Sequence, residues 1–101
     1  MKKDELKEHL SHNCRGRGRA VGGERLRRTL RISENELRKA VNRLRREGVP
    51  IASDQTGYFY AQTAGEVYAT IHNLKKLRSG LDAAITGLEG ALNGFSEEPS
   101  P

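Results

Sequence analysis

Leu6 and Leu10 recur four positions apart among Lys, Glu and His, which predicts a short amphipathic helix over residues 2–12 with a narrow apolar stripe. Asn13 to Arg19 breaks that period, because Gly16 and Gly18 alternate with Arg15, Arg17 and Arg19 in the composition of a loop. A second helix is expected from Gly22 or Gly23 to about Leu30, where Leu26 and Leu30 again lie four apart and Val21 helps to seal it to a core. Ser33 and Glu36 then form a Ser-x-x-Glu capping box: the hydroxyl accepts from the third helical amide, and the carboxylate accepts from the Ser33 amide. The third helix starts there, buries Leu37, Ala40, Val41 and Leu44, and stops at Gly48. Its opposite face carries Asn35, Arg38, Lys39, Asn42 and Arg46, with Arg43 and Arg45 on the flanks.

Beyond the third helix the period changes from helical to alternating. Pro50 holds Val49-Pro50-Ile51 extended, Ser53 to Gly57 reads as a turn, and Tyr58 to Ala61 reads as a second strand, which together make a β-hairpin. Thr63 and Glu66 form a second capping box and open a helix that continues to about Leu92. With Val67 at heptad position d, Leu74, Leu81 and Leu88 also fall at d, while Ile71, Arg78, Ile85 and Leu92 fall at a. Ile at a with Leu at d favours a parallel two-stranded pair, and a polar Arg78 costs stability while fixing register. Leu77, Ala84 and Ala91 at g widen the stripe, so a bundle, an antiparallel pairing or packing on the preceding domain remains open. Gly80, Gly87 and Gly90 on the outer face each cost about 0.8–1 kcal/mol of helix propensity, so this helix needs a partner.

Helix, loop, helix, tight turn, basic helix and hairpin is the order of a winged helix-turn-helix. Residues 21–61 resemble the winged helix of the DeoR type and of the N-terminal domain of the biotin-ligase repressor. The resemblance rests on Leu30-Arg31-Ile32-Ser33, then Leu37, Val41, Leu44-Arg45, Gly48, Val49 and Ile51, and finally Gly57-Tyr58. It implies a helix-turn-helix whose third helix enters DNA, with the hairpin as wing. The family pattern has Gly in the turn and a small residue four positions earlier, where this chain has Arg31 and Arg27. A non-Gly residue at positive φ costs about 1 kcal/mol, so a looser or differently shaped turn is expected.

Composition narrows the remaining choices. Only 5% of the 101 residues are aromatic, which predicts an aliphatic core and leaves little prospect of a large ligand pocket. The net charge of +5 divides unevenly: residues 1–50 hold 15 Lys and Arg against 7 Asp and Glu, and residues 51–101 hold 3 against 6. The basic half carries the footprint of a polyanion binder. No apolar run approaches the roughly 20 residues that span a bilayer, and the N-terminus has no apolar stretch of a signal peptide, so a cytoplasmic protein without membrane partners is expected, associated with a bacterial nucleoid or a phage-infected cell. The single Cys14 has no disulfide partner, and His9, His12 and Cys14 are too few for a tetrahedral metal site. No nucleophile, base and orienting group are distributed as a catalytic set, and neither a cofactor nor a small-molecule ligand is expected.

The fold expected is therefore mainly α with a small β-hairpin: a winged helix-turn-helix over residues 1–62, a long amphipathic coiled-coil-like helix over 63–93, and a disordered tail over 94–101. Arg binds guanine edges and Asn adenine edges bidentately in the major groove, which assigns base reading to Asn35, Arg38, Lys39 and Asn42. Phosphate contacts fall to Arg15, Arg17, Arg19, Arg43, Arg45 and Arg46, and wing contacts to Asp54, Gln55 and Thr56. The Arg15 to Arg19 run is similar to the core of an AT-hook without its flanking prolines, which favours a phosphate-grazing loop over minor-groove reading. Val67, Ile71, Leu74, Leu81, Ile85, Leu88 and Leu92 are assigned to a homodimer seam. The function expected is sequence-specific binding of double-stranded DNA, as a transcription regulator or a replication or recombination accessory factor. The alternative is a protein-interaction adaptor that works through the C-terminal helix.

Overall fold

A computed structural model describes residues 2–95. Its elements are α1 (Lys2–Asn13), a 3-10 turn (Arg17–Arg19), α2 (Gly23–Leu30), α3 (Glu34–Arg46), β1 (Ile51–Asp54), β2 (Gly57–Tyr60) and α4 (Ala64–Ala91), followed by a second 3-10 turn (Leu92–Gly94). The chain is thus mainly helical, with one antiparallel hairpin and a long C-terminal helix, in the order that the periodicity predicts. Of the expected disordered tail, Gly94 belongs to the last 3-10 turn, and residues 96–101 lie outside the described residues. No described helix is long and apolar enough to cross a membrane.

Leu6 and Leu10 of α1 are fully buried and join Leu26, Leu30, Leu37, Val41, Leu44 and Ile51 in the main core. Burying each leucine contributes about 1.5–3 kcal/mol. The narrow stripe of α1 is therefore part of the main core, although its two leucines are the only buried residues of that helix. A second, smaller cluster forms around Phe59, Ala52 and Ala61, with Ala20 and Val67 packed against it. An aromatic ring sits at its centre, which the low aromatic content did not anticipate.

The hairpin pairs Ile51 with Tyr60, Ala52 with Phe59, Ser53 with Tyr58 and Asp54 with Gly57. Its strands reach further than the sequence suggests, and the turn narrows to Gln55 and Thr56. The Asp54 carboxylate fixes that turn by accepting from the Thr56 amide at 2.8 Å and from the Thr56 hydroxyl. Gly57 follows with φ 132°, and a Cβ there would collide with the backbone carbonyl of Val21. The approach is close because Val21 and Tyr58 exchange both backbone hydrogen bonds, at 2.9 and 2.8 Å. Cys14 and Gly16 bond the backbone of Tyr60 in the same way, so the loop after α1 covers the free edge of β2. Single-residue bridges leave no period in the sequence, which is why the pattern predicts only a loop here.

The first compact unit extends past residue 62 to Thr70, and the second begins at Ile71. Thr70 is buried, accepts from the Ser53 amide at 3.3 Å and donates to the Glu66 carbonyl at 3.2 Å. Val67, assigned to the self-association seam, is half-buried on the Phe59 cluster and belongs to the first unit's packing. A heptad pattern cannot separate these uses, because packing on a hairpin and packing on another helix both select an apolar side chain.

Candidate nucleic-acid interface

The turn between α2 and α3 is built on Arg31, at φ 57° and ψ 50°. Among the described residues it is the only non-glycine at positive φ. Arg31 thus adopts the left-handed conformation that the resemblance associates with glycine. The Ile32 amide donates to the Arg27 carbonyl at 3.1 Å, closing α2, and the Ile32 side chain is buried beneath the turn. Ser33 is extended and completes the expected capping box: the Glu36 amide donates to its Oγ at 3.1 Å, and its own amide donates to Glu36 Oε1 at 3.0 Å. The bond from the Ser33 backbone, more than any other influence, holds the Glu36 carboxyl below its ordinary pKa. The α2–α3 turn is therefore anchored at one end by a backbone hydrogen bond and at the other by reciprocal bonds between backbone and side chain.

That anchoring sets the face that α3 turns to solvent. Leu37, Ala40, Val41 and Leu44 are buried, while Asn35, Arg38, Lys39, Asn42, Arg43 and Arg46 are exposed and line one open surface depression. Arg43 lies 3.8 Å from Glu47, whose carboxylate is held more closely by Lys3 at 2.7 Å. Arg38, Lys39 and Arg46 make no ion pair among the described residues. Their charge is available to an external anion, and Asn35 and Asn42 supply donors and acceptors between them.

Arg45 departs from its expected role as a phosphate contact. Its Nε donates to the Ile51 carbonyl at 2.8 Å and its Nη2 donates to Ser53 Oγ at 3.0 Å, tying the end of α3 to β1. Burial pushes its pKa down, with the Tyr58 hydroxyl opposing that shift. A helical wheel places Arg45 on a flank, and only the position of the hairpin decides whether a flank is free.

The arginine loop is a fixed structure rather than an open arm. Arg15 stacks 5.1 Å from the centre of the Tyr60 ring, and Arg17 Nε bonds Asp54 Oδ2 at 2.9 Å. Glu66 clasps the loop from α4, accepting from the Arg17 amide at 3.0 Å and the Gln62 amide at 2.8 Å. The second capping box is therefore half formed: Thr63 Oγ1 accepts from the Glu66 amide at 3.1 Å, but the carboxylate bonds these other amides. Arg19 is exposed, as are Gln55 and Thr56 at the hairpin turn, whereas the Asp54 carboxylate is occupied by Thr56 and Arg17. No protein-family model, curated protein or solved structure matches the chain.

One further cationic feature was not assigned from the sequence. Arg27, Arg28 and Arg31 line a second depression with Glu24 and Ile32, and Arg27 Nε is buried without a hydrogen-bond partner. Their helical spacing from Glu24, at three, four and seven residues, was the available signal. Cys14 is buried and its thiol is pushed up by desolvation, the opposite of what a reactive thiolate requires.

The remaining assigned positions lie in the second unit. Ile71, Leu74, Leu81, Ile85, Leu88 and Leu92 are between 39% and 70% exposed, and Leu77 is 66% exposed. These apolar side chains are thus exposed along the described part of the second unit.

Proposed function

We propose that this chain is a winged helix-turn-helix protein that binds double-stranded DNA sequence-specifically, with α3 in the major groove and the hairpin as wing. The observation that carries the reading is the exposed face of α3, where Asn35, Arg38, Lys39, Asn42, Arg43 and Arg46 lie side by side on a helix anchored at its start. A helix of this kind fits the major groove, and its Arg and Asn side chains match the donor and acceptor pattern of guanine and adenine. Arg43 and Arg46 then contact phosphates from the same face, while Arg19 adds charge from the loop. A role in transcription regulation, or as a phage or bacterial replication or recombination factor inside the cell, follows from sequence-specific binding. No residues are assigned to catalysis.

The exposed stripe of residues 71–92 supports the second half of the proposal, a homodimer through the C-terminal helix. It also favours the competing reading, an adaptor that binds another protein through that stripe and leaves α3 without DNA. Selection of bound duplexes from a random pool at near-physiological salt separates the two. An enriched motif is expected, and two half-sites if the protein binds as a dimer. Retention of no duplex overturns the DNA reading in favour of the adaptor.

A further inference from the structure

On the reading that residues 71–95 self-associate, we propose that two copies pair antiparallel, with the two-fold axis crossing the seam at the level of residue 83. The charges of this stretch are segregated. Lys75, Lys76 and Arg78 occupy its first part, and Asp82 and Glu89 its second. A parallel pair in register sets each cationic segment against its own copy and places Arg78 directly opposite Arg78 in a desolvated a layer. An antiparallel pair sets the cationic segment of one copy against the acidic segment of the other.

The apolar positions accept this direction without a gap. Mirrored about residue 83, Arg78 meets Leu88, Leu81 meets Ile85, and Leu74 meets Leu92, so each a residue faces a d residue of the second copy. Ile71 lies opposite the end of the segment, where Phe95 is 70% exposed. Along one flank Lys75 faces Glu89 of the second copy, and the Arg78 guanidinium reaches past Leu88 toward the same carboxylate. On the other flank Leu77 faces Ala91, and Ala84 faces Ala84 at the axis, where small side chains let the helices approach. The like-charge meeting is Asp82 with its copy, at the solvent edge of the seam, where screening is strongest and Arg78 lies one turn away on the same helix. The preference of Ile at a for parallel dimers is carried here by Ile71 and Ile85 alone, and it is outweighed by two facing guanidiniums.

Spin labels on single cysteines test the direction. His72 and Ala83 are exposed, so His72→Cys and Ala83→Cys, each in the Cys14→Ala chain, leave the packing of α4 intact. Sedimentation first establishes the oligomeric state of each labelled protein. In an antiparallel dimer the labels at 72 are separated along the helix axis by about 33 Å, and those at 83 by almost nothing. Pulsed dipolar spectroscopy is therefore expected to give a longer distance at 72 than at 83, where the outward-facing labels are separated only by the width of the two helices. A distance at 72 no longer than that at 83, both set by the width of the pair alone, overturns the antiparallel direction and leaves self-association standing. A monomer at tens of micromolar overturns self-association itself, and the direction with it. Charge exchange supplies an independent readout: Lys75→Glu is expected to raise the dimer Kd severalfold, and adding Glu89→Lys to restore it. A double variant as weak as the single one overturns the pairing of these two residues.

Discussion

The guanidinium of Arg45 is bonded to the backbone carbonyl of Ile51, 2.8 Å away across the junction of α3 and β1. Together with the bond to Ser53 it converts one of the three arginines at the end of α3 from a surface charge into a strut for the hairpin.

Arg45 and Arg46 are therefore expected to behave differently although they are adjacent. Arg45→Ala removes two charge-assisted bonds from a partly buried site and is expected to cost about 1–3 kcal/mol of stability. Arg46→Ala leaves stability within about 0.5 kcal/mol, as for an exposed side chain outside any such network. It is expected instead to flatten the slope of log K against log salt for DNA by about 0.9. Urea denaturation and salt-titrated binding of both variants read the two effects. Equal stability of the two variants would remove Arg45 from the strut role.

Base reading is tested at Arg38 and Asn42, which are exposed in the middle of α3. Replacing each with Ala is expected to reduce discrimination between the preferred duplex and a scrambled one by about 1–3 kcal/mol, with a smaller change on the scrambled duplex. Equal losses on both duplexes would reassign these residues to the DNA backbone.

Gly57 has no room for a side chain, since a Cβ would strike the Val21 backbone and φ is 132°. Gly57→Ala is expected to destabilise the fold by at least about 1–3 kcal/mol, because strain at a disfavoured φ and a clash with backbone act together. Gly18→Ala is the control, because nothing lies within 4 Å of the added methyl. Thermal unfolding of both variants gives the comparison, and similar midpoints would contradict the close approach of Val21 to the hairpin.

Acid is expected to loosen the arginine loop. The Glu66 carboxyl is held below its ordinary pKa first by the Gln62 amide and next by the Arg17 amide. Its folded pKa is thus depressed, so its contribution is fully present above the unfolded value of about 4.3 and is lost as pH falls through the folded one. Asp54 acts with the same sign through its bonds from Thr56. Denaturation midpoints between pH 6 and pH 2 are expected to fall less steeply for Glu66→Gln than for the unaltered chain. An identical pH profile would show that the clasp adds nothing.

Ile85→Asp places a carboxylate among exposed apolar residues of the second unit and is expected to abolish self-association without unfolding the first. Sedimentation with circular dichroism as the folding control measures both. A variant that remains dimeric would exclude this face of α4 from the seam.

Local sequence determined the helices and their limits. Ser33 and Glu36 satisfy each other's backbone within four residues, and Leu37, Ala40, Val41 and Leu44 share a face through helical geometry alone, so both are legible without any tertiary contact. The exposed positions of α3 follow as the complement of that face. Tertiary structure decided what each flanking or apolar position is used for. Arg45 is a strut because the hairpin packs beside it, Glu66 clasps the loop because the arginine loop folds against it, and Val67 joins the first unit because Phe59 lies beneath it. Gly57 has no room for a Cβ because the Val21 backbone, 36 residues earlier, occupies that space. A sequence pattern records which chemistry a position supplies, whereas its partner is set by contacts between residues far apart in the chain, and those exist only once the chain is folded.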